Sequence, residues 1–367
     1  MTEKNRDNKI MDNILITSPS LDTKDNVSGI SSITRLLMSY NTKVNYYHFV
    51  LGRKDNSKRG LFWLITQMKT PFKILTFVRK HHISAVHFNI GFEPLSLLRD
   101  VFPYFLLYLK GLPLYLHIHG GRYISSIPDS IILRSIIKFF LKKSTEILVL
   151  SSTECDYLSL HYPFLLGKKI WVIPNAVEIP KENELKKDYQ SEFLNILFLG
   201  RIDRKKGLET IARSLNELSD KGISYRFYLC GVGPDKDWFI KQLNGAAYAS
   251  IIDKGLVYGE MKKEVLSLSH IFLLPSFFEG LPMALLESMG NAVVPIVTPV
   301  GSMSVVVQDH ENGFLINEDT AITDIIVRLN QERNLLATMA FRSRKTIVEQ
   351  FSITRYVDMI NEIYCSI

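Results

Sequence analysis

Two glutamates eight positions apart, Glu279 and Glu287, form the chemically most suggestive pair in the chain. The apolar run Ile271–Leu274 lacks polar alternation, which predicts a buried strand before the first glutamate. Pro282 suits the first turn of a helix, where its missing N–H costs no hydrogen bond. The pattern therefore predicts one carboxylate in a loop and the other within the following helix.

The loop between the two carboxylates could bind a phosphate group. Parallel sheets bind ligands at the carboxyl ends of their strands, and helix N-termini at that edge attract anions. The N–H groups near Gly280 and Leu281 could thus face a diphosphate, with a hydroxyl-binding carboxylate on each side. Taken alone, a pair of glutamates at this spacing is more often a solvated helix feature.

A second anion-binding loop is predicted where the strand Asn195–Leu199 ends in Gly200. Arg201 can form a forked pair with a diphosphate, and Lys206 can add a point charge before the next helix. An isolated basic loop of this kind is usually a solvated turn. Its presence in one domain with the two glutamates favours the functional interpretation.

Two histidines occur at the end of a predicted strand, in the sequence His117-Ile118-His119-Gly120-Gly121. Alternate residues of a strand face the same way, so His117 and His119 share a face. No third ligand follows at a fixed spacing, and we expect no metal site here. A core position for the histidines is the alternative.

A further loop leads into a predicted helix at Gly29, after the strand Ile14–Thr17. Backbone N–H groups at such a position can face a phosphate. A plain turn explains this glycine equally well.

The segment PSFFEGLPMALLESM, followed by AVVPIVT, resembles the donor-site signature of GT-B retaining glycosyltransferases of the group 1, GT4-like family. The motifs GRIDRKKG, IPNAV and HIHGG resemble other parts of the same pattern. The resemblance implies an α/β protein of the GT-B fold, with two doubly wound Rossmann-like domains facing across a cleft. We expect an acceptor-binding domain at 1–178, a nucleotide-sugar-binding domain at 179–350, and a last helix at 351–367 that crosses back to the first domain.

The resemblance also implies roles for individual residues. Arg201 and Lys206, with Gly200 beside them, would stabilise the departing nucleotide diphosphate in place of a metal ion. The backbone near Gly280 and Leu281 would assist them.

The remaining implied roles concern the nucleoside and the sugar. Glu287 would accept the ribose hydroxyls, and Glu279 would hold sugar hydroxyls beside the reacting carbon. His119 would position donor and acceptor. The backbone around Val257 and Tyr258 would receive the nucleobase.

The function implied is retaining transfer of a sugar from a UDP- or GDP-linked donor to a glycan or lipid-linked acceptor, in surface polysaccharide or lipopolysaccharide biosynthesis. We expect neither a cofactor nor a metal requirement. A GT-B sugar-nucleotide epimerase or phosphorylase would use the same donor site without such an acceptor. A non-catalytic GT-B partner subunit is a third alternative, although it would lose the phosphate-binding pair, which this chain keeps.

The composition is that of an ordinary globular protein, with 46% hydrophobic and 22% charged residues among 367. No uninterrupted apolar run approaches the roughly 18 residues of a spanning helix, and the polar start of the chain predicts no signal peptide. Three scattered cysteines predict neither a disulfide framework nor a metal site. We therefore expect a cytoplasmic protein.

The net charge of +7 is unevenly distributed. Residues 1–180 contain 23 Lys and Arg against 13 Asp and Glu, whereas the remaining residues contain 21 against 24. Basic and aromatic residues alternate over 53–82. This pattern predicts contact with an anionic partner, and we expect an anionic membrane rather than nucleic acid because a lipid-linked acceptor would lie at a bilayer. An amphipathic helix with a solvated basic face is the alternative.

Overall fold

The computed structural model describes residues 13–26, 28–52, 61–185, 187–317 and 321–365, without the side chains of 61–68. The described chain divides into two compact units. The first contains residues up to Asn175 together with Ile353–Ile367, and the second is Ala176–Ser352. The sequence placed these divisions after residues 178 and 350.

The first unit is built on a parallel sheet of six strands in the order β2-β1-β3-β4-β5-β6. Its central strands are buried on both faces, as expected for apolar runs without polar alternation. The strands are β1 (Asn13–Ser18), β2 (Asn45–Val50), β3 (Ala85–Ile90), β4 (Leu114–Ile118), β5 (Glu146–Val149) and β6 (Ile170–Val172).

Six α-helices accompany these strands in the described part of the first unit. Three of them form a contiguous layer, because α2 packs against α3 and α3 packs against α4, while α1 packs against α14. The helices are α1 (Gly29–Tyr40), α2 (Leu61–Lys80), α3 (Pro94–Leu109), α4 (Ile131–Lys143), α5 (Ser152–His161) and α14 (Ile353–Cys365).

Serine hydroxyls begin three of these helices. Ser28, Ser130 and Ser151 each accept a hydrogen bond from the backbone N–H three residues later. This satisfies a donor that the helix itself leaves unpaired. Helix α14 belongs to the first unit, and its buried face includes Tyr356 and Ile360.

The second unit repeats the design with a parallel sheet in the order β12-β11-β10-β7-β8-β9. Its strands are β7 (Leu194–Leu199), β8 (Tyr225–Cys230), β9 (Ile251–Gly255), β10 (Ile271–Leu274), β11 (Val294–Val297) and β12 (Phe314–Leu315). Its helices are α6 (Leu208–Asp220), α7 (Lys236–Lys241), α8 (Gly245–Ala249), α9 (Gly259–Leu268), α10 (Met283–Gly290), α11 (Met303–Val306), α12 (Ile322–Gln331) and α13 (Arg333–Gln350).

Candidate active site

The loops that follow β7 and β8 touch backbone to backbone. A side chain at Gly231 would place its Cβ 1.8 Å from the carbonyl oxygen of Gly200, and one at Gly233 would place it 2.0 Å from that of Ile202. Two ladder-like hydrogen bonds, Gly200 N to Cys230 O and Ile202 N to Val232 O, hold the loops together. The sequence around Gly200 is therefore held in a fixed conformation at the carboxyl end of the sheet.

The turn carrying Lys206 is pressed against the loop after β10. Gly207 has φ +76°, and a Cβ there would lie 2.0 Å from the carbonyl oxygen of Pro275. The N–H of Phe277 donates to the carbonyl of Lys205 at 3.0 Å. Glycine is required at position 207 both for its conformation and for this approach.

This approach brings Lys206 and Glu279 into contact. The Lys206 Nζ donates to Glu279 Oε1 at 2.5 Å, and the Ser276 hydroxyl donates to the same oxygen at 2.8 Å. The carboxylate is only 10% exposed and the lysine side chain 26%. A cation and a carboxylate from two separate motifs thus meet at one partly buried point, 73 residues apart in sequence.

The backbone of Glu279 is fixed from its other side by Gly301. This residue has φ +60°, and a Cβ there would lie 2.1 Å from the Glu279 carbonyl oxygen. The N–H of Ser302 donates to the carbonyl of Gly280 at 2.9 Å. Leu281 is buried, while Gly280 is partly exposed, so the predicted phosphate-facing loop has one side against the core.

Glu287 lies in α10, whereas Glu279 precedes that helix, as the sequence predicted. The N-cap of α10 is Pro282, one position before the helix begins. Glu287 Oε1 accepts a hydrogen bond from Lys262 Nζ of α9 at 2.5 Å. Lys262 was not predicted from the sequence, because a lysine inside a charged helix gives no distinctive signal.

The predicted nucleobase loop directly precedes α9. Val257 is buried, and Tyr258 is the N-cap of the helix with its side chain 43% exposed. The backbone of this turn is thus located at the start of the helix that supplies Lys262.

Arg201 is exposed, and among the described residues it has neither an ion pair nor a side-chain hydrogen bond. The neighbouring Arg204 lies over the Trp238 ring at 4.4 Å, and its backbone N–H donates to Asp235. Asp235 is the N-cap of α7, as expected for an acidic residue at a helix start.

His119 follows β4 in the first unit, and its hydrogen bonds define its tautomer. The Asn89 side-chain N–H donates to the carbonyl of Thr17 at 2.8 Å, so Asn89 Oδ1 is the acceptor for His119 Nε2 at 2.7 Å. His119 Nε2 therefore carries the proton. Burial, with a smaller effect from His87, lowers the pKa of His119 to about 3, and the ring is neutral near pH 7.

A buried polar chain extends from these histidines to the last helix. The His117 ring centroid lies 4.1 Å from that of His119. His117 Nδ1 bonds His87 Nε2 at 3.0 Å, and His87 Nδ1 bonds the Tyr364 hydroxyl at 2.7 Å. Burial lowers the pKa of His87 to about 3. The sequence missed His87 and Tyr364, because contacts across some 277 positions leave no local pattern.

Gly29 begins α1, directly after the Ser28 cap. The predicted glycine-to-helix transition is present in the structure, and its role toward a phosphate stays a prediction. Within the residues that the structure describes, no group of three or more His, Cys, Asp or Glu side chains is arranged to hold a metal ion. Metal independence likewise stays a prediction.

Residues 181–346 match the family model described as Glycosyl transferases group 1. This domain belongs to the group 1 glycosyltransferase family. The motifs around Arg201, Lys206, Glu279 and Glu287 all lie inside the matched range, and the resemblance drawn from them is confirmed.

A curated relative supports the same enzyme class. The chain is 23% identical over 316 residues to the UDP-Gal:alpha-D-GlcNAc-diphosphoundecaprenol alpha-1,3-galactosyltransferase of Escherichia coli, covering 82% of this chain and 80% of that protein. The family model and this relative both support a glycosyltransferase.

Solved structures establish the GT-B fold that the sequence predicted. Sucrose-phosphate synthase from Thermosynechococcus elongatus matches with a TM-score of 0.78 at 16% identity, over 96% of this chain and 98% of that one. Anabaena Alr3699/HepE in complex with UDP and glucose matches with a TM-score of 0.72 at 14% identity, over 97% and 100%. At these identities the likeness shows the fold alone.

Proposed function

We propose that the chain is a retaining, metal-independent GT4-type glycosyltransferase that moves a sugar from a UDP- or GDP-linked donor to a glycan or lipid-linked acceptor. The observation that carries the proposal is the contact between Lys206 and Glu279, beside a loop that Gly207 and Gly301 hold in place. In this proposal the donor diphosphate lies near Lys206 and the transferred sugar near Glu279.

The chemical step breaks the bond between the sugar's anomeric carbon and the diphosphate oxygen. Negative charge grows on the departing diphosphate, and Arg201, Lys206 and the N–H groups near Gly280 stabilise it. The acceptor oxygen forms the new bond on the same face of the sugar. Its proton goes to the departing phosphate oxygen, and no covalent sugar–enzyme intermediate forms.

Glu279 and Glu287 bind donor hydroxyls in this scheme. Glu279 Oε1 already accepts hydrogen bonds from Lys206 and Ser276, which hold the carboxylate in one orientation. Glu287 has Lys262 on Oε1, and its other oxygen serves the ribose. His119, neutral and with its proton on Nε2, positions donor and acceptor in this scheme.

We further propose a role in surface polysaccharide or lipopolysaccharide synthesis, with the basic first unit in contact with an anionic membrane. The relative that acts on a diphosphoundecaprenol-linked sugar supports a lipid-linked acceptor. The excess of basic residues over 1–180 supports an anionic surface. None of the helices that the structure describes is long and apolar enough to cross a bilayer.

Thermal unfolding with UDP, GDP and their hexose conjugates, each with and without EDTA, tests the donor proposal. A ligand at a hundred times its Kd stabilises the folded state by about 2.7 kcal/mol. We expect one nucleotide class to raise the melting temperature and EDTA to leave that rise unchanged. A rise that EDTA abolishes would refute metal independence, and the absence of any rise would refute the donor site.

The anomeric configuration of the product, read by NMR, tests the retaining step. A product formed without an acceptor would favour the epimerase or phosphorylase alternative.

A further inference from the structure

Helix α3 exposes a continuous row of large apolar side chains. Its members are spaced three, four, three and four residues apart, which places them on one face of the helix. Between 37% and 62% of each side chain is exposed. The row, called here the α3 stripe, consists of Leu95, Leu98, Phe102, Phe105 and Leu109.

The stripe is not needed for the core of the first unit. The opposite face of α3 is already buried there through Leu97, Tyr104 and Leu107, each with no exposed surface. The phenol ring of Tyr104 packs edge-to-face on Phe88 of β3 and against Phe140 of α4. The helix is therefore apolar on two faces, although one buried face is enough to hold it in place.

Lysines flank the stripe on the neighbouring helices. Phe72 of α2, 62% exposed, packs edge-to-face on Phe102 with ring centroids 6.3 Å apart, so α2 continues the apolar surface. Beside Phe72 lies a groove of about 570 Å³ with an apolar floor formed by Phe49 and Phe77. Three α2 lysines line this groove, namely Lys69, Lys73 and Lys80.

The other flank, α4, adds further basic residues in its last turns, Lys142 and Lys143. Lys143 Nζ donates to the Tyr108 hydroxyl of α3 at 3.0 Å. The sequences of α2 and α4 contain no acidic residue, and that of α3 contains only Asp100. Asp100 is fully buried and paired with Arg99, so it does not offset the exposed lysines.

We propose that the α3 stripe and its flanking lysines dock the first unit onto the surface of an anionic lipid bilayer. Leucine and phenylalanine side chains enter the region between head groups and acyl chains, and the lysines on α2 and α4 lie at lipid phosphates. The α3 stripe is thus the surface through which the first unit would contact the membrane. The proposal rests on the proposed function only in that a lipid-linked acceptor would bring the enzyme to a membrane.

Charge favours a bilayer over a second copy of this chain. Two copies meeting through this face would bring together two sets of lysines with no carboxylates from α2 or α4 to pair with them. An anionic leaflet supplies the opposite charge over a wide area, and each lysine near it strengthens binding.

Co-sedimentation of the full chain with vesicles tests the proposal. Vesicles of phosphatidylcholine alone are compared with vesicles of equal parts phosphatidylcholine and phosphatidylglycerol, at low and high salt. We expect binding to the anionic vesicles only, weakened by salt. The Lys69→Gln/Lys73→Gln variant should bind about fivefold more weakly for each lysine removed.

A second variant, Leu98→Gln/Leu109→Gln, tests the apolar contribution. Both leucines are more than half exposed, so these substitutions should not affect folding. We expect this variant to lose vesicle binding by tenfold or more. Leu160→Gln on α5, 75% exposed, and Lys345→Gln on α13, 61% exposed, are the matched controls and should bind like the unmodified chain.

Three outcomes would overturn the proposal: no binding to anionic vesicles, binding that the leucine variant leaves intact, or a concentration-dependent dimer that this variant abolishes while vesicles remain unbound. The thermal response to nucleotides, measured on the same variants, keeps the two proposals separate. Loss of vesicle binding with an intact nucleotide response would leave the donor site untouched.

Discussion

Replacing Lys206 with alanine should reduce turnover far more than stability. The lysine is 26% exposed and its partner Glu279 is 10% exposed, so their ion pair lies between the surface and buried limits. We expect its loss to lower the free energy of unfolding by about 1–2 kcal/mol. Exposed ion pairs contribute about 0–1 kcal/mol, and breaking a buried pair costs about 3–5 kcal/mol. The Ser276 hydroxyl still donates to the remaining carboxylate.

The effect on the chemical step is expected to be larger. Removing one group that stabilises developing negative charge typically slows turnover by about a hundredfold to a thousandfold, or roughly 2.7–4 kcal/mol. A stability loss of 1–2 kcal/mol leaves nearly all molecules folded at an assay temperature well below the melting point. The two effects can therefore be separated within one variant.

The assay measures kcat and KM for sugar transfer alongside thermal unfolding of the same preparation. Lys221→Ala is the matched control, because Lys221 also forms an ion pair in the second unit, with Asp324 at 3.0 Å, but belongs to the C-cap of α6 rather than to the candidate site. We expect the control to retain full turnover. Turnover of Lys206→Ala within fivefold of the unmodified chain would refute the leaving-group role.

Two further predictions concern stability. Gly207→Ala should destabilise the second unit by several kcal/mol in urea unfolding, because the new Cβ would lie 2.0 Å from the Pro275 carbonyl oxygen and the backbone there is left-handed. Gly222→Ala is the control, since Gly222 has a similar φ of +69° but open space around it. This variant should lose only about 1–2 kcal/mol of unfolding free energy. An equal cost for both would contradict the close-approach argument. The folded-state pKa of His87 is about 3 and that of His117 is also lowered by burial, so the unfolded chain binds more protons below about pH 6.5. The free energy of unfolding should therefore be retained above that pH and fall as the pH drops toward 4, by about 1.4 kcal/mol per pH unit for each histidine. An unfolding free energy in urea that stays constant over this range would contradict the burial of neutral histidines.

Local sequence patterns were enough to locate the donor motifs because each is a strand, a loop and a helix start in close succession. The run Ile271–Leu274 became β10 with the predicted bounds. The sequence also predicted Glu279 outside the helix, since Pro282 marks where the helix begins.

Contacts between motifs could not be predicted in the same way. Lys206 contacts Glu279 because Gly207 allows the turn that carries Lys206 to approach the Pro275 backbone. Neither the sequence around Lys206 nor the sequence around Glu279 predicts this approach by itself. Lys262 reaches Glu287 from a neighbouring helix, which sequence spacing does not reveal. Residues 53–60, which carry four of the basic side chains in the predicted anionic-contact segment, lie outside the described residues.

The segment 102–109 shows why one apolar stretch can support two interpretations at once. By composition alone, the apolar and aromatic residues of this segment fit either the core or an interface. In α3, Tyr104 and Leu107 are fully buried, while Phe102 and Leu109 are 46% and 62% exposed. A helix has room for both faces, and the pattern of apolar residues alone does not say which is which. Only the position of α3 between α2 and α4 assigns one face to the core and leaves the other exposed.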